Sequence, residues 1–210
     1  MKINTRSELN FYIKADRLIN RGWSKLSFRN KIVHIFFPDY IMRYLVSMRW
    51  ISFLHNTKNI YNPIYIMLLF YHNWRFKRLG IKLGFSIGYD CFGYGLCLPH
   101  YGTIIVGKTN KIGNYACIHP STCITDNNHQ IGNNFFLANG AKIIKHTIIG
   151  NNVTIGANCV LMKDIESDNL VVGIPGGPKR KEKAWFFDSS NKFKTRVNQI
   201  ENLKRNFVIS

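Results

Sequence analysis

The second half of the chain repeats an aliphatic residue at every sixth position. The repeat runs through Val106, Ile112, Ile118 and Ile124, slips by one residue, and resumes at Ile131, Leu137, Ile143, Ile149, Ile155 and Leu161. A strand alternates with period two and a helix with a period between three and four. A six-residue repeat is instead typical of a parallel β-helix, in which each turn of the coil adds short flat faces. The aliphatic residues then form an inner column, and the Gly and Asn residues that follow them suit corners with positive φ.

The first half of the chain has helical patterning. A weakly helical basic segment around Leu9 precedes a turn, and Pro38-Asp39 starts a better helix whose apolar stripe leaves Arg43 and Arg49 outside. A further aromatic-rich helix is predicted from Ile64 to Arg78, ending at Gly80. We therefore expect a mainly β fold with three parts: a helical region (1–80), a β-helix (81–175) and a basic tail (176–210). The tail contains a predicted terminal helix from Phe193 to Phe207.

Positive charge is concentrated at the two ends of the chain. The net charge is +18, and 1–80 hold 14 Lys/Arg against 3 Asp/Glu, whereas 81–175 hold 6 against 5. Residues 176–210 hold 9 Lys/Arg against 3 Asp/Glu. Basic ends indicate an anionic partner such as a membrane surface, an acidic glycan or nucleic acid. Two interpretations of the N-terminal helices stay open, namely packing against each other or the β-helix, and contact with the inner leaflet of a membrane.

The sequence shows neither a secretion signal nor a metal motif. Residues 1–20 lack an apolar core segment, and the longest apolar run, Ile64 to Tyr71, is far short of the ~20 residues that a membrane span needs. The five cysteines form no CxxC pair. We expect a cytoplasmic protein without metal, with peripheral contact to the inner membrane as an open alternative.

The repeat also resembles a known enzyme family. Ile131-Gly132-Asn133-Asn134, the segment Ile149 to Ala157 and the exit Val172-Gly173-Ile174-Pro175-Gly176 are similar to the hexapeptide-repeat acyltransferases. The segment Leu98 to Val106 resembles the active-site coil of the serine acetyltransferase branch, which includes O-acetyltransferases of capsule and O-antigen clusters. The resemblance covers roughly residues 85 to 180. It implies a left-handed β-helix, acetyl-CoA as co-substrate and a homotrimer.

His100 is the candidate general base. Acetyl transfer to an alcohol requires a group that takes the hydroxyl proton, and the pKa of histidine lies near neutrality. His100 occupies the histidine position of the family motif, beside an irregularity in the six-residue repeat. The alternative from spacing alone is a wall histidine bonded to the backbone. The hydroxyl is expected to attack the thioester directly, so Cys97 and Cys117 are not expected to act as nucleophiles.

Two departures from the family pattern bear on the acceptor. Serine-specific members carry an aspartate directly before the histidine, where this chain has Pro99, and a second aspartate fifteen residues before it, where this chain has Phe85. The second aspartate orients the imidazole in the family. In this chain another carboxylate, a backbone carbonyl or a residue of a neighbouring subunit would have to orient the imidazole of His100. Asp90 is the acidic residue nearest to His100 in the sequence.

Other candidates line the same expected cleft. His129, in the predicted loop 125–130, is a candidate for acceptor binding and the second candidate for the base, against the alternative of a solvated loop histidine. His119 and Tyr101 are further candidates for acceptor binding. By resemblance, coenzyme A lies in the groove between two subunits, and the matching positions for its binding are Asn139, Gly140, Ala141, Gly156, Ala157, Lys179 and Arg180. Lys179 and Arg180 have the alternative of a solvated tail.

These features favour an acetyl-CoA-dependent O-acetyltransferase. The missing aspartates and the basic flanks favour a sugar hydroxyl of a cell-surface polysaccharide, or its lipid-linked precursor, as the acceptor. The first alternative is serine O-acetylation for cysteine synthesis, although the chain ends Val208-Ile209-Ser210 and not in the isoleucine by which the family docks to cysteine synthase. A non-catalytic nucleic-acid-binding protein is the alternative of another class, and no nucleic-acid-binding motif supports it.

Overall fold

The computed structural model describes residues 2–24, 36–58, 61–188 and 191–209, so Ser210 at the end of the tail lies outside the described residues. Three helices precede the β-helix: α1 (Arg6–Arg21), α2 (Tyr40–Thr57) and α3 (Pro63–Leu83). The strands are β1 (Phe85–Ile87), β2 (Ile104–Val106), β3 (Lys111–Ile112), β4 (Cys117–Ile118), β5 (Thr122–Ile124), β6 (Gln130–Ile131), β7 (Phe136–Leu137), β8 (Lys142–Ile143), β9 (Ile148–Ile149), β10 (Thr154–Ile155), β11 (Val160–Leu161), β12 (Asn169–Val172) and β13 (Gly177–Lys181). Two helices follow, α4 (Trp185–Asp188) and α5 (Asn191–Ile209).

The strands stack into the three faces of a coil. Sheet 1 has the order β1-β2-β5-β8-β11, sheet 2 the order β3-β6-β9, and sheet 3 the order β4-β7-β10-β12-β13. All pairings are parallel and in register except the antiparallel pair of β12 and β13. The predicted parallel β-helix with N-terminal helices and a short helical tail is therefore confirmed, and it agrees with the left-handed form that the resemblance implies. The tail differs in starting as strand β13, because this segment pairs along β12.

The repeat residues form the predicted inner column. All ten aliphatic positions of the repeat are at most 5% exposed, and in sheet 2, for example, Ile112 pairs with Ile131 and Ile131 with Ile149. Full burial of one such side chain stabilises a fold by about 1.5–3 kcal/mol. At the corners, Asn134 and Asn152 adopt positive φ of 60° and 57°. The amide of Asn134 also donates a hydrogen bond to Asn152 Oδ1 at 2.7 Å, which links adjacent coils.

The N-terminal helices begin and end at identifiable caps. Thr5 and Glu8 form a capping box at α1, and Asp39 caps α2 as the sequence predicts. Asn62 caps α3, which continues beyond the expected end at Gly80 as far as Leu83, where Gly84 in the left-handed conformation ends it. Gly80 serves packing instead, because a Cβ there would lie 2.8 Å from the Phe85 carbonyl oxygen.

A buried ion pair joins the helices to the first coil. Arg49 and Asp16 are each 1% exposed at the side chain, and Arg49 Nε donates to Asp16 Oδ2 at 2.8 Å. Arg49 also donates to the carbonyl oxygens of Phe92 and Gly93, and the Leu96 N–H donates to Asp16. The placement of Arg49 outside the buried stripe is thus wrong, because a buried carboxylate and two coil carbonyls compensate its charge.

The two chain ends cover the outer side of sheet 3. α1 and the tail bury a second apolar cluster that includes Phe11, Cys117, Phe186 and Ile200. Tyr115 and Tyr94 of the coil both donate hydrogen bonds to Glu201 Oε1 on α5, at 2.5 and 3.1 Å. The outer side of sheet 3 is consequently covered by α1 and the tail.

Among the described helices, none is long and apolar enough to cross a membrane.

Candidate active site

One corner of the coil gathers most of the candidate residues. Each chain segment that leaves sheet 3 for sheet 1 passes through this corner, which we call the histidine corner; it comprises residues 98–103, 119–121, 138–141 and 156–159. Backbone hydrogen bonds stack its layers, from Gly140 N to Pro120 O at 3.3 Å and from Asn158 N to Asn139 O at 2.9 Å. The corner brings together His100, His119 and the segments beginning at Asn139 and Gly156.

His100 lies on the outside of this corner. The parallel bridge between Cys97 and Cys117 fixes the coil just before it, and Gly102 with φ 132° turns the chain into β2 just after it. The His100 side chain is exposed, and the adjacent Tyr101 is 75% exposed. The ion pairs of the described residues are Arg21–Asp39, Arg49–Asp16 and Arg180–Glu182, so none of these carboxylates is paired with His100.

His119 lies one coil further along, beneath His100. The two ring centroids are 6.4 Å apart with the planes tilted by 55°. His119 is half-buried, the Asn139 side chain lies beside its ring, and its centroid lies 4.9 Å from that of Phe136. Burial, and next the neighbouring His100, lower the pKa of His119. A neutral imidazole therefore lies beside the candidate base.

An aromatic shelf borders the histidine corner, and sequence reasoning gave it no role. It consists of Phe136, Trp185 and Phe193, with centroid distances of 6.1 Å from Phe136 to Trp185 and 5.1 Å from Trp185 to Phe193. The Trp185 Nε1–H donates to the Tyr115 carbonyl oxygen at 2.8 Å, which anchors the tail against sheet 3. The run Trp185-Phe186-Phe187 is visible in the sequence, but the contact of Trp185 with Phe136 depends on how the tail folds back.

The candidate coenzyme A positions form a track of small residues along the same corner. Gly140 has φ 76°, and a Cβ there would overlap Asn158 Oδ1, so glycine is required for the close stacking of the coils. Ala141 is buried, while Asn139 and Ala157 are exposed beside Gly156. Exposed backbone and small side chains allow close approach of an extended ligand such as pantetheine.

The two basic candidates lie on β13. Lys179 and Arg180 are exposed, and β13 runs antiparallel to β12 at the end of sheet 3. Arg180 pairs with Glu182 at 3.2 Å and is 68% exposed at the side chain. Both side chains are thus available on the surface, on a strand that starts from the histidine corner.

His129 lies at a different corner from His100. Residues 126–128 are exposed as expected, but His129 turns inward at the passage from sheet 1 to sheet 2 and is fully buried. Its Nδ1 accepts from the Thr147 N–H at 3.2 Å, and its Nε2 lies 3.3 Å from Thr125 Oγ1. Burial, followed by His146, lowers the pKa of His129. Within one chain, the structure therefore does not bring His129 to His100.

Neither Phe85 nor Asp90 lies where it could orient His100 within one chain. Phe85 is buried, and its ring packs edge-on against Tyr44 with centroids 5.3 Å apart. The Asp90 carboxylate accepts a hydrogen bond from the Ser52 hydroxyl of α2. Asp90 lies between sheets 1 and 2, away from the histidine corner, because it follows β1 directly.

Cysteine and metal chemistry is not indicated by the arrangement. Four of the five cysteines are buried and Cys123 is half-buried, all as free thiols. In 2–24, 36–58, 61–188 and 191–209, no group of three or more His, Cys, Asp or Glu side chains is placed to hold a metal ion. The histidine corner thus offers imidazole, amide and backbone groups for its chemistry.

The six-residue repeat and the parallel β-helix are similar to those of known proteins. Residues 128–163 match the family described as bacterial transferase hexapeptide (six repeats). Among curated relatives, the chain is 35% identical over 91 residues to the serine acetyltransferase of Synechococcus elongatus. The aligned region covers 40% of this chain and 37% of the relative. The chain spans less than half the length of the curated relatives it matches.

Solved structures share the fold at low sequence identity. Serine acetyltransferase from Neisseria gonorrhoeae, in complex with serine, superposes with a TM-score of 0.58 at 22% identity, covering 83% of this chain and 70% of that one. A serine acetyltransferase in complex with CoA superposes with a TM-score of 0.55 at 18% identity, covering 81% and 68%. Serine acetyltransferases are thus among the proteins to which this chain is similar in sequence and in fold.

Proposed function

We propose that this protein is an acetyl-CoA-dependent O-acetyltransferase with His100 as the general base. The observation that carries the proposal is the histidine corner, where an exposed imidazole lies beside a neutral histidine and a track of small residues. The match to transferase hexapeptide repeats and the serine acetyltransferase relatives support the same reaction class.

The chemistry needs one base and no covalent enzyme intermediate. His100 takes the proton of the acceptor hydroxyl while that oxygen attacks the thioester carbonyl carbon. The tetrahedral intermediate then releases the thiolate, which takes the proton from His100, giving an acetyl ester and free coenzyme A. His119 and Asn139 lie where they can orient the acceptor or stabilise the negative charge that develops on the thioester carbonyl oxygen.

The relatives favour L-serine as the acceptor over the sugar hydroxyl that the sequence suggested. The curated relatives are serine acetyltransferases, and a protein of similar fold is in complex with serine. Acetylation of L-serine in the cytoplasm, where acetyl-CoA is available, is accordingly the first acceptor to test.

A sugar hydroxyl of a surface polysaccharide or its lipid-linked precursor is the second candidate, and a specific observation favours it. Pro99 and the buried Phe85 occupy the two positions at which the serine-specific family carries aspartates. The aromatic shelf of Phe136, Trp185 and Phe193 also offers apolar ring surface beside His119, on which the face of a sugar ring can pack.

The site is completed by other copies of the chain in this proposal. Coenzyme A lies in a groove between two β-helices of a homotrimer, against Asn139, Gly140, Ala141, Gly156 and Ala157. Lys179 and Arg180 meet its phosphates by charge. His129 remains buried in the wall in this arrangement and shapes the adjacent loop.

The test is thiol release from acetyl-CoA by the full chain. L-serine and a de-O-acetylated surface polysaccharide of the host are offered in separate assays, with wild type, His100→Ala and His146→Ala. We expect release with one acceptor, loss in His100→Ala and retention in His146→Ala, since His146 is an exposed histidine outside the histidine corner. No release with either acceptor, or equal release by His100→Ala, would overturn the proposal.

A further inference from the structure

Helix α3 presents an unusually apolar surface to solvent. Its outer face consists of Ile64, Met67, Phe70, Tyr71, Trp74 and Ile81, which are between 44% and 85% exposed. Their spacing of three, four and seven residues places them along one side of the helix. Contiguous exposed apolar side chains on one face of a protein mark an interaction site more often than scattered ones.

A basic cleft adjoins this outer face. The cleft has a volume of about 570 Å³ and is lined by Arg43, Arg75, Arg78 and Lys82, together with Tyr71 and Trp74. Tyr71 and Trp74 belong to both surfaces, so the cleft opens directly beside the apolar side chains. A ligand with an anionic group next to an apolar part would contact both at once.

Each of three cations in the cleft lies against an aromatic residue. Arg75 Nη1 donates to the Tyr71 hydroxyl at 2.9 Å, Arg78 lies 5.0 Å from the Trp74 ring centroid, and Lys82 Nζ lies 3.7 Å from that of Tyr40. α3 itself contains no Asp or Glu. Across the described part of the chain, Arg75, Arg78 and Lys82 are in none of the three ion pairs. Their positive charge is thus held in place by rings without being neutralised.

We propose that the outer face and the basic cleft of α3 bind the surface of an anionic lipid bilayer. The apolar side chains enter the boundary between headgroups and acyl chains, and the cleft holds the phosphate of an anionic headgroup. Basic residues cluster at 75–82, so the helix lies on the bilayer and does not cross it, in agreement with the absence of a spanning helix among those described.

Charge decides between a bilayer and a second copy of the chain. A symmetric contact through α3 would place two clefts lined by Arg and Lys against each other, and like charges repel. A contact with another part of a second copy meets a chain with 29 Lys/Arg and only 11 Asp/Glu. An anionic lipid surface compensates the charge and also accepts the apolar side chains.

The inference concerns where the protein acts, and it stands independently of acetyl transfer. If the acceptor is lipid-linked, α3 would bring the histidine corner to the surface that carries it. If the acceptor is L-serine, membrane binding would be a separate property. Binding and catalysis are therefore tested with separate variants.

The experiment is co-sedimentation of the full chain with lipid vesicles. Vesicles of phosphatidylcholine alone are compared with vesicles that also contain phosphatidylglycerol, at low and at high salt. The variants are Arg75→Glu/Arg78→Glu for the cleft and Phe70→Ser/Trp74→Ser for the outer face. The matched controls are Lys181→Glu/Lys183→Glu and Phe187→Ser, which change exposed basic and aromatic residues of the tail. Circular dichroism shows that each variant is folded.

We expect binding to the anionic vesicles, weakened by salt, and at least about a tenfold loss in the cleft variant. The outer-face variant is expected to lose binding as well, while both tail controls and His100→Ala bind like wild type. Equal binding to phosphatidylcholine, or equal loss in the tail controls, would overturn the proposal, because the net charge alone would then explain attraction. Lipid-free self-association that the outer-face variant abolishes would instead assign the surface to a second copy.

Discussion

The rings of His100 and His119 lie 6.4 Å apart on consecutive coils of the same corner. The His100 ring is exposed, whereas the His119 ring is half-buried beside Asn139 and held neutral by its surroundings. Two imidazoles in different environments can take different roles: the exposed one exchanges protons with a substrate, and the buried one positions it.

The effects on kcat/KM of substituting the two histidines should accordingly differ in size. His100→Ala should lower kcat/KM by about 10²–10⁴-fold, the range for loss of a general base. His119→Phe keeps a ring against Phe136 but removes the polar ring nitrogens beside His100, and should lower kcat/KM only about two- to tenfold, mostly through KM. Steady-state kinetics with the identified acceptor measure both. The reverse order of effects would assign the base to His119.

His72 should make the stability of the protein depend on pH. It lies on the inner side of α3, stacked on Trp50 with centroids 4.9 Å apart, and its buried Nδ1 has no hydrogen-bond partner among the described residues. Burial, and next Arg75, lower the pKa of His72 from 6.5 to about 4. The unfolded chain therefore binds more protons between these values. The contribution of the neutral His72 to the free energy of unfolding is complete above pH 6.5 and is lost as the pH falls towards 4.

The variant His72→Phe retains the ring stack and removes this titration. Urea unfolding at pH 7 and at pH 4.5 should show that wild type loses about 2–3 kcal/mol more than the variant between the two values. The difference between the proteins isolates His72 from the other titrating groups. His146→Phe, at an exposed histidine, serves as the control and should follow wild type. Parallel losses in wild type and His72→Phe would refute the assignment.

The buried pair of Arg49 and Asp16 should be a major determinant of stability. Asp16→Ala would leave the guanidinium buried without its carboxylate, and breaking a buried ion pair costs about 3–5 kcal/mol. The double variant Asp16→Leu/Arg49→Met removes both charges and should recover part of that loss. Urea unfolding measures both proteins.

A partly exposed pair provides the comparison for this measurement. Arg180 and Glu182 form an ion pair in which the side chains are 68% and 13% exposed. Because the guanidinium keeps its contact with water when the carboxylate is removed, Glu182→Ala should cost at most about 1 kcal/mol. If Asp16→Ala and Glu182→Ala destabilise the protein equally, the buried pair does not join the helices to the coil as we infer.

The β-helix could be predicted because its determinants are local and repeated. Ile112, Ile131 and Ile149 are spaced so that each falls on the same face of successive coils, and the asparagines between them mark the corners. His100 could likewise be placed at a corner, since it immediately precedes the irregularity in the repeat. Each of these inferences needs only the neighbouring sequence.

The remaining features depend on contacts between distant segments. Arg49 appeared to belong on the surface of α2 because its partner Asp16 lies on another helix. The sequence predicted that His129 projects in a loop. It turns inward instead because it contacts Thr147, 18 residues away in the next coil. Trp185 reaches Tyr115 and Phe136 only because the tail folds back along sheet 3. Periodicity carries no information about such pairings.

Gly140, which is buried at the histidine corner, should be intolerant of a side chain. Its φ of 76° costs a non-glycine residue about 1–2 kcal/mol, and the added methyl group would also overlap Asn158 Oδ1. Gly140→Ala should therefore destabilise the protein by at least about 1 kcal/mol and raise the KM for acetyl-CoA, because the overlap displaces Asn158 from the track of small residues. Gly177→Ala is the matched control: a Cβ there would meet only Lys163 Nζ, at 3.8 Å, so stability should change by less than about 0.5 kcal/mol. Thermal unfolding and steady-state kinetics on the two variants decide the point, and equal behaviour would mean that the coils can separate at this corner without loss.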